Sequence, residues 1–125
     1  MGRTVIAVVE DMLFVAKIRA TAEHLDVNLR SVRNVDTLLQ VVRESGADLI
    51  IVDLHAEKID PISVAKALKS DDQVNSIRLL GFFSHVRMDL QKAAVAAGYD
   101  VVIPRSVFSR DLSEILEGKF GEADS

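Results

Sequence analysis

The segment that most constrains the fold is residues 49–52, Leu-Ile-Ile-Val, which are apolar at every position and are followed by Asp53. A strand with one face in water alternates apolar and polar residues, so four consecutive apolar residues predict a strand covered on both faces. Such strands are typical of the centre of a parallel sheet that has helices on both sides. We therefore predict an α/β protein with residues 49–52 in a central strand.

The rest of the chain alternates short apolar runs with segments of helical periodicity, and no linker rich in Pro, Gly or Ser interrupts it. Strands are predicted at residues 5–9, 27–32, 49–52, 79–83 and 101–103, and the alternation in the second one indicates a half-exposed edge strand. A helix is predicted after each strand, with Pro61 beginning the third and Gly46 and Gly98 ending the second and fourth. The residues predicted to face inward are Phe14, Ile18, Ala22 and Leu25; Val35, Leu38, Leu39 and Val42; Val64, Ala65 and Leu68; Leu90, Ala93, Ala94 and Ala97; and, in a single last helix, Phe108, Leu112, Ile115 and Leu116.

Five strand–helix units joined by right-handed crossovers predict a three-layer α/β/α sandwich with a five-stranded parallel sheet. We predict the strand order 2-1-3-4-5, because it places the polar second strand at an edge and the first and third strands side by side. A chain of 125 residues fits one domain, which we assign to residues 1–118 and follow with a short C-terminal tail over residues 119–125.

The composition excludes several classes of function. The net charge of −4 argues against direct binding to nucleic acid, since such proteins generally carry a basic surface. The absence of cysteine excludes thiol chemistry and thiolate metal sites. No apolar run is long enough to span a membrane, and no signal-peptide pattern is present, so we expect a protein of the cytoplasm.

Polar residues follow the predicted strands at the points where the strands end. Glu10 and Asp11 follow the first strand, Asp53 the third, Ser84 the fourth and Arg105 lies just beyond the fifth. Ligands of open α/β sheets collect outside the carboxyl ends of the strands, so we expect these side chains to share one pocket. Three carboxylates there predict a site for a cation or a phosphoryl group.

This pattern resembles the receiver domain of bacterial response regulators, which has the flavodoxin-like, CheY-like arrangement. The resemblance covers nearly the whole chain and rests on the acidic pair, the Leu-Ile-Ile-Val-Asp-Leu segment, Ile59-Asp60, and Ala97-Gly98 seven residues before Arg105.

The resemblance assigns roles to individual residues. It implies that Asp53 accepts a phosphoryl group from a histidine kinase, a phosphotransfer protein or a small phosphodonor. It also implies that Glu10, Asp11, Asp53 and the backbone carbonyl of His55 bind Mg²⁺, whose charge offsets the repulsion between a carboxylate and an anionic phosphoryl group. The Ser84 hydroxyl would then donate a hydrogen bond to a phosphoryl oxygen.

The sequence also departs from the family pattern at several positions. Arg105 replaces the usual lysine, Ser106 the proline after it, and Val102 the aromatic residue that swings inward on activation. The common Met-Pro after the phosphoacceptor becomes Ala56-Glu57, and the later Asp-Gly becomes Asp60-Pro61, so we expect the intervening loop to have a different shape.

Three hypotheses for the function follow. The first is a stand-alone response-regulator receiver in two-component phosphorelay signalling. It would not be an enzyme beyond Mg²⁺-assisted self-phosphorylation and dephosphorylation, and it would signal through an unknown downstream protein. In the family, the face formed by the fourth helix, fifth strand and fifth helix docks partners, and a homodimer of this chain would use the same face. The second is a pseudo-receiver that binds proteins without phosphorylation, and the third and weakest is a flavodoxin-like cofactor binder or small hydrolase.

The same residues allow plainer structural interpretations. Asp11 suits the N-cap of the first helix, Asp53 a solvated turn, and Ser84 a cap of the next helix. Arg105 suits an ion pair with one of the acids, which would hold an empty pocket together. His55 would tune the lifetime of the phosphoryl group or lie unused on the surface. Val86 would limit access of water, and Tyr99 is expected at the surface.

Overall fold

A computed structural model describes residues 3–84 and 87–119. Within these ranges it contains five strands, each followed by a helix, and a sixth helix directly after the fifth. They are β1 (Thr4–Val8), α1 (Met12–His24), β2 (Asn28–Ser31), α2 (Val35–Ser45), β3 (Leu49–Asp53), α3 (Pro61–Lys69), β4 (Arg78–Phe83), α4 (Met88–Ala97), β5 (Val101–Pro104), α5 (Arg105–Arg110) and α6 (Leu112–Leu116). None of the helices in these ranges has the length and apolar character needed to cross a membrane.

The strands form one parallel sheet in the order β2-β1-β3-β4-β5, which confirms the predicted topology. The register pairs Val8 with Val52, Asp53 with Phe82, and Phe83 with Pro104. The carboxyl ends of β1, β3, β4 and β5 therefore lie along one margin of the sheet, which we call the carboxyl edge.

Two apolar cores cover the two faces of the sheet, as the three-layer prediction requires. Alternate residues of β3 divide between them, because successive side chains of a strand point to opposite faces. Ile50 and Val52 pack with α2, α3 and α4, whereas Leu49 and Ile51 pack with α1, α5 and α6. All five residues of β3 are buried, which confirms the prediction of a central strand.

The helices follow the predicted faces with two corrections. Ala93 is exposed and only Ala94 of α4 is fully buried, because neighbouring residues of a helix point about 100° apart and the contact of α4 is narrow. The predicted single last helix is divided into α5 and α6 at Asp111, whose dihedral angles (φ −103°, ψ 19°) are not helical. Aspartate is a poor residue for a helix interior, and here its carboxylate binds the neighbouring Arg110. The apolar residues on both sides of the break still face the core.

Tyr99 is buried, so its predicted surface position is wrong. Gly98 ends α4 in a left-handed conformation (φ 114°) that favours glycine, and the chain then turns back towards the sheet. This turn directs the Tyr99 ring beneath α3, where only 5% of the residue is exposed. Its hydroxyl donates a hydrogen bond of 2.8 Å to the carbonyl oxygen of Pro61, the first residue of α3.

Gly81 in β4 allows a close approach by the segment after β3. A Cβ at this position would lie 2.8 Å from Cδ2 of Leu54, well inside van der Waals contact. Leu54 is buried and precedes His55, so the missing side chain at Gly81 helps to fix where the loop after β3 begins.

Candidate functional site

The carboxyl edge carries a cavity of about 200 Å³ that contains four of the six predicted site residues. Asp53, Ser84 and Arg105 line it together with His55, Phe82 and Phe83, and we call it the Asp53 pocket. Glu10 instead lines a separate depression of about 190 Å³ with Met12, Arg33 and Lys58, which we call the Glu10 depression. The structure thus brings most, but not all, of the predicted residues to one cavity.

Asp53 is the one buried charged residue in the part of the chain that the structure describes, with 8% of its surface exposed. Its Oδ1 accepts a hydrogen bond of 2.9 Å from the backbone N–H of His55. Burial raises the pKa of Asp53, because the charged form loses contact with water, while the His55 N–H and the charge of Arg105 act in the opposite direction. A buried carboxylate with a raised pKa in a pocket is a common property of functional sites.

Asp11 caps α1, which confirms the plainer interpretation of this residue. Its Oδ1 accepts hydrogen bonds from the N–H groups of Leu13 (3.0 Å) and Phe14 (3.3 Å). Its Oδ2 lies 3.4 Å from Nη2 of Arg105, so the predicted ion pair of Arg105 with an acid is also confirmed. The Phe14 N–H, and then Arg105, hold the pKa of Asp11 below its ordinary value.

Arg105 rests on the aromatic ring of Phe14, a contact that the sequence pattern does not predict. The guanidinium carbon lies 4.3 Å from the ring centroid of Phe14, in the geometry of a cation–π contact. The Phe14 ring is itself held by edge contacts with Phe82 and Phe108, whose centroids lie 5.3 and 5.6 Å away. The only sign of this in the sequence is the position of Phe14 on the inward stripe of α1, close to the acidic pair.

Glu10 binds the loop that follows β3. Its Oε1 accepts a hydrogen bond of 3.0 Å from the Glu57 N–H, and its Oε2 accepts one of 2.7 Å from the Lys58 N–H. The Glu57 N–H is the main reason why the pKa of Glu10 is lowered. The sequence pattern does not predict these donors. It does contain one signal for them: the family pattern has a proline at position 57, which has no N–H, whereas Glu57 has one to donate.

His55 bridges two sides of the Asp53 pocket. Its Nε2 accepts a hydrogen bond of 3.0 Å from the backbone N–H of Ser84, so the imidazole links the loop after β3 to the end of β4. An accepting Nε2 carries no proton in this arrangement. Ser84 is not the N-cap of α4, because the cap residue is Arg87, whose side chain makes no capping hydrogen bond. His85 and Val86 lie outside the described residues, and so does the predicted tail beyond Lys119.

The donor set partly fits Mg²⁺, which the resemblance implies. Asp11, Asp53 and the His55 carbonyl lie at the carboxyl edge and offer oxygen atoms, the ligands that a hard cation prefers. Glu10 offers oxygens too, but both of them face the amides of Glu57 and Lys58. Within residues 3–84 and 87–119, no three side chains of His, Asp or Glu converge as a metal-binding group. The chemistry of the site suits the cation, while the orientation of Glu10 does not.

Val102 occupies the β5 position where the family has an aromatic residue. It is half-buried, pairs with Gly81 of β4 and packs against the core beneath α4. A valine that is packed in this way has no ring that could move between an outer and an inner position.

Comparison with solved structures identifies many similar folds, whereas no family model and no curated protein matches the sequence. The phosphorylated cyanobacterial phytochrome response regulator RcpA has 19% identity and a TM-score of 0.77, with 94% of this chain and 91% of that chain covered. The chemotaxis response regulator CheY4 of Vibrio cholerae has 14% identity and a TM-score of 0.80, with 96% and 100% covered.

A third neighbour is the receiver domain of the sensor histidine kinase PA1611 of Pseudomonas aeruginosa, which was solved with a magnesium ion in its active-site cleft. It has 14% identity and a TM-score of 0.81, and the alignment covers 98% of this chain and all of that one. The strand order, the two cores and these neighbours together show that the chain has the CheY-like receiver fold of response regulators.

Proposed function

We propose that the protein is a receiver module of two-component signalling that accepts a phosphoryl group on Asp53 and acts by binding other proteins. The observation that carries the proposal is the position of Asp53, a buried carboxylate at the end of the central strand, in a cavity lined also by Ser84 and Arg105. The donor would be a histidine kinase, a phosphotransfer protein or a small phosphodonor. We also propose a cytoplasmic location, as expected from the sequence.

In this mechanism, an Asp53 carboxylate oxygen attacks phosphorus and forms an acyl phosphate, while the bond from phosphorus to the donor breaks and the electron pair leaves with the donor. The Ser84 hydroxyl would donate a hydrogen bond to the bound group, and Arg105 would supply positive charge after turning from Asp11. Asp11, Asp53 and the His55 carbonyl would hold Mg²⁺, with the charge of Glu10 close enough to act on Asp53, and the cation would reduce the repulsion between the Asp53 carboxylate and the incoming anion. The protein itself is not an enzyme for other substrates in this proposal.

Incubation with acetyl phosphate and Mg²⁺, followed by intact-mass measurement, tests the assignment. We expect the parent to gain the mass of one phosphoryl group and Asp53→Ala to gain none. Asp72→Asn is a matched control, because Asp72 is an exposed carboxylate far from the pocket, and it should gain the same mass as the parent. No gain in the parent, or an equal gain in Asp53→Ala, would contradict the proposal.

The downstream partner would bind the face formed by α4, β5 and α5, and a second copy of the chain is one such partner. Two apolar side chains of α4 support this, because Met88 and Val95 are 52% and 58% exposed. Sedimentation of the parent and of a Val95→Asp variant, with and without acetyl phosphate, would show whether a homodimer forms through this face.

A pseudo-receiver that works without phosphorylation is the second candidate. The observation that favours it is the closed set of contacts around the pocket, in which Arg105 pairs with Asp11 and His55 with the Ser84 N–H. Adding Mg²⁺ and beryllofluoride while following the amide resonances of Ser84 and Val102 separates the two candidates. Saturable shifts support the phosphoacceptor, whereas unchanged spectra together with no mass gain support the pseudo-receiver.

A further inference from the structure

The backbone of Ser84 lies one step beyond the regular hydrogen-bond ladder between β3 and β4. At the end of this ladder, the Leu54 N–H donates to the Phe82 carbonyl oxygen over 3.0 Å. The bonds of a parallel pair are evenly spaced, so the next one would join the Ser84 N–H to the Leu54 carbonyl oxygen. However, β3 ends at Asp53 and the chain turns at residues 54 and 55. The Ser84 N–H therefore donates to a side chain instead.

The imidazole of His55 takes the place of the missing carbonyl group. Its Nε2 accepts the hydrogen bond from the Ser84 N–H over 3.0 Å. Asp53 fixes the turn that carries this imidazole, because its Oδ1 accepts from the His55 N–H (2.9 Å) and its carbonyl oxygen accepts from the Ala56 N–H (3.1 Å). A continuous set of hydrogen bonds thus runs from the Asp53 carboxylate through residue 55 to Ser84. We call it the His55 bridge.

The His55 bridge engages the backbone of Ser84 and does not use its hydroxyl group. Both Ser84 and His55 line the Asp53 pocket, so the bridge spans the cavity in which the hydroxyl would act. On the other side of β4, Phe83 pairs with Pro104, which has no N–H to donate. The imidazole is therefore what ties the Ser84 backbone to the end of the central strand.

We propose that His55 is a positioning residue for phosphoryl transfer: its imidazole holds the Ser84 backbone so that the hydroxyl meets a phosphoryl group on Asp53. The inference rests on the proposed phosphoacceptor function. The imidazole acts through Ser84 and needs no contact with the phosphoryl group. A side chain with an acceptor atom near the position of Nε2 can do the same, whereas an apolar side chain leaves the Ser84 N–H without this partner.

Amide hydrogen exchange tests the His55 bridge in the absence of a phosphodonor. His55→Leu removes the acceptor, whereas His55→Gln offers an amide oxygen at a similar reach. The Ser84 N–H should exchange roughly three- to tenfold faster in His55→Leu than in the parent, which corresponds to the net contribution of one hydrogen bond, and His55→Gln should stay close to the parent. His24→Leu is the matched control, because His24 is exposed at the end of α1, and it should leave this exchange rate unchanged.

The initial rate of phosphorylation tests what the bridge does. With acetyl phosphate and Mg²⁺, His55→Leu should gain the phosphoryl mass roughly three- to tenfold more slowly than the parent, and His55→Gln should recover most of this loss. Ser84→Ala removes the hydroxyl that the bridge positions, so adding His55→Leu to it should slow the reaction no further. A role of His55 in stability or in access to the pocket would not depend on the Ser84 hydroxyl.

Several outcomes would overturn the inference. Equal exchange of the Ser84 N–H in His55→Leu and the parent would refute the bridge. Equal phosphorylation rates in these two proteins, additive effects of His55→Leu and Ser84→Ala, or a His55→Gln variant as slow as His55→Leu would refute the positioning role while the phosphoacceptor function stands. A parent that gains no mass would refute the phosphoacceptor function itself, and the positioning role with it. If His55→Leu does not fold, His55→Ala takes its place in every comparison.

Discussion

Removing the hydroxyl of Tyr99 should lower the stability of the protein by a measurable and limited amount. The bond from this hydroxyl to the Pro61 carbonyl is 2.8 Å long and partly buried, and it joins the start of α3 to the segment before β5. A hydrogen bond of this kind contributes about 0.5–1.5 kcal/mol net, with the upper end expected where the carbonyl is left without a partner. The entropy of unfolding is about 2.1 cal/mol/K per residue, so for a chain of 125 residues a loss of about 1 kcal/mol in stability should lower Tm by about 4 °C.

Tyr99→Phe keeps the ring in the core and tests the bond alone, by urea unfolding and by calorimetry. The midpoint should fall with an unchanged m-value, because the area exposed on unfolding stays the same. Ser70→Ala is the matched control: the Ser70 hydroxyl also donates to a helix carbonyl, that of Lys66 at 2.7 Å, but in an exposed position. If Tyr99→Phe is destabilised no more than Ser70→Ala, the reasoning about this bond is refuted.

Three further predictions concern the site. Burial raises the pKa of Asp53, so its carboxyl group binds a proton more tightly in the native protein than in the unfolded chain. The free energy of unfolding should therefore fall as the pH rises above 3.8, the ordinary pKa of an aspartate. Asp53→Asn should lose this part of the pH dependence and exceed the parent in stability at neutral pH, as measured by urea titrations across the acidic range. Gly81→Ala should lower the free energy of unfolding by about 1–3 kcal/mol, because the added methyl group overpacks against Leu54. Leu54→Ala should destabilise the Gly81→Ala variant less than it destabilises the parent, which a double-mutant cycle would measure. Phe14→Leu should lower the free energy of unfolding by about 0.5–1.5 kcal/mol, because the ring contacts with Phe82 and Phe108 are lost. It should also release the Arg105 guanidinium, whose side-chain NMR signal should approach that of a solvated arginine.

The fold could be predicted because its determinants are periodic. The four apolar residues of β3 fixed the layer architecture, and the polar alternation of β2 identified an edge, which together favoured the observed strand order. The failures came where periodicity does not decide. Ala93 and Ala94 are equally apolar but differ in the direction they face, and Tyr99 is buried by a turn at Gly98 rather than by a stripe.

The site could be predicted in position but not in its contacts. Strand ends place Asp53, Ser84 and Arg105 at one pocket in any parallel sheet of this order. The orientation of Glu10 depends instead on amide donors about 47 positions further along the chain, in a loop whose shape no local pattern specifies. The contact of the Arg105 guanidinium with the Phe14 ring also depends on tertiary structure. A long side chain packs against whichever partner the fold brings near it.

The two outer strands of the sheet, β2 and β5, also bear on how this protein behaves at high concentration. An edge strand with free backbone groups can pair with another molecule, and long apolar edges are starting points for aggregation. Here β2 is four residues long and exposes Asn28, Arg30 and Ser31 to water, while β5 ends at Pro104, which has no N–H to offer a neighbour. Short, polar or proline-terminated edges discourage strand-to-strand stacking of copies. The same β2 that indicated the topology therefore also disfavours pairing with the edge strand of another copy.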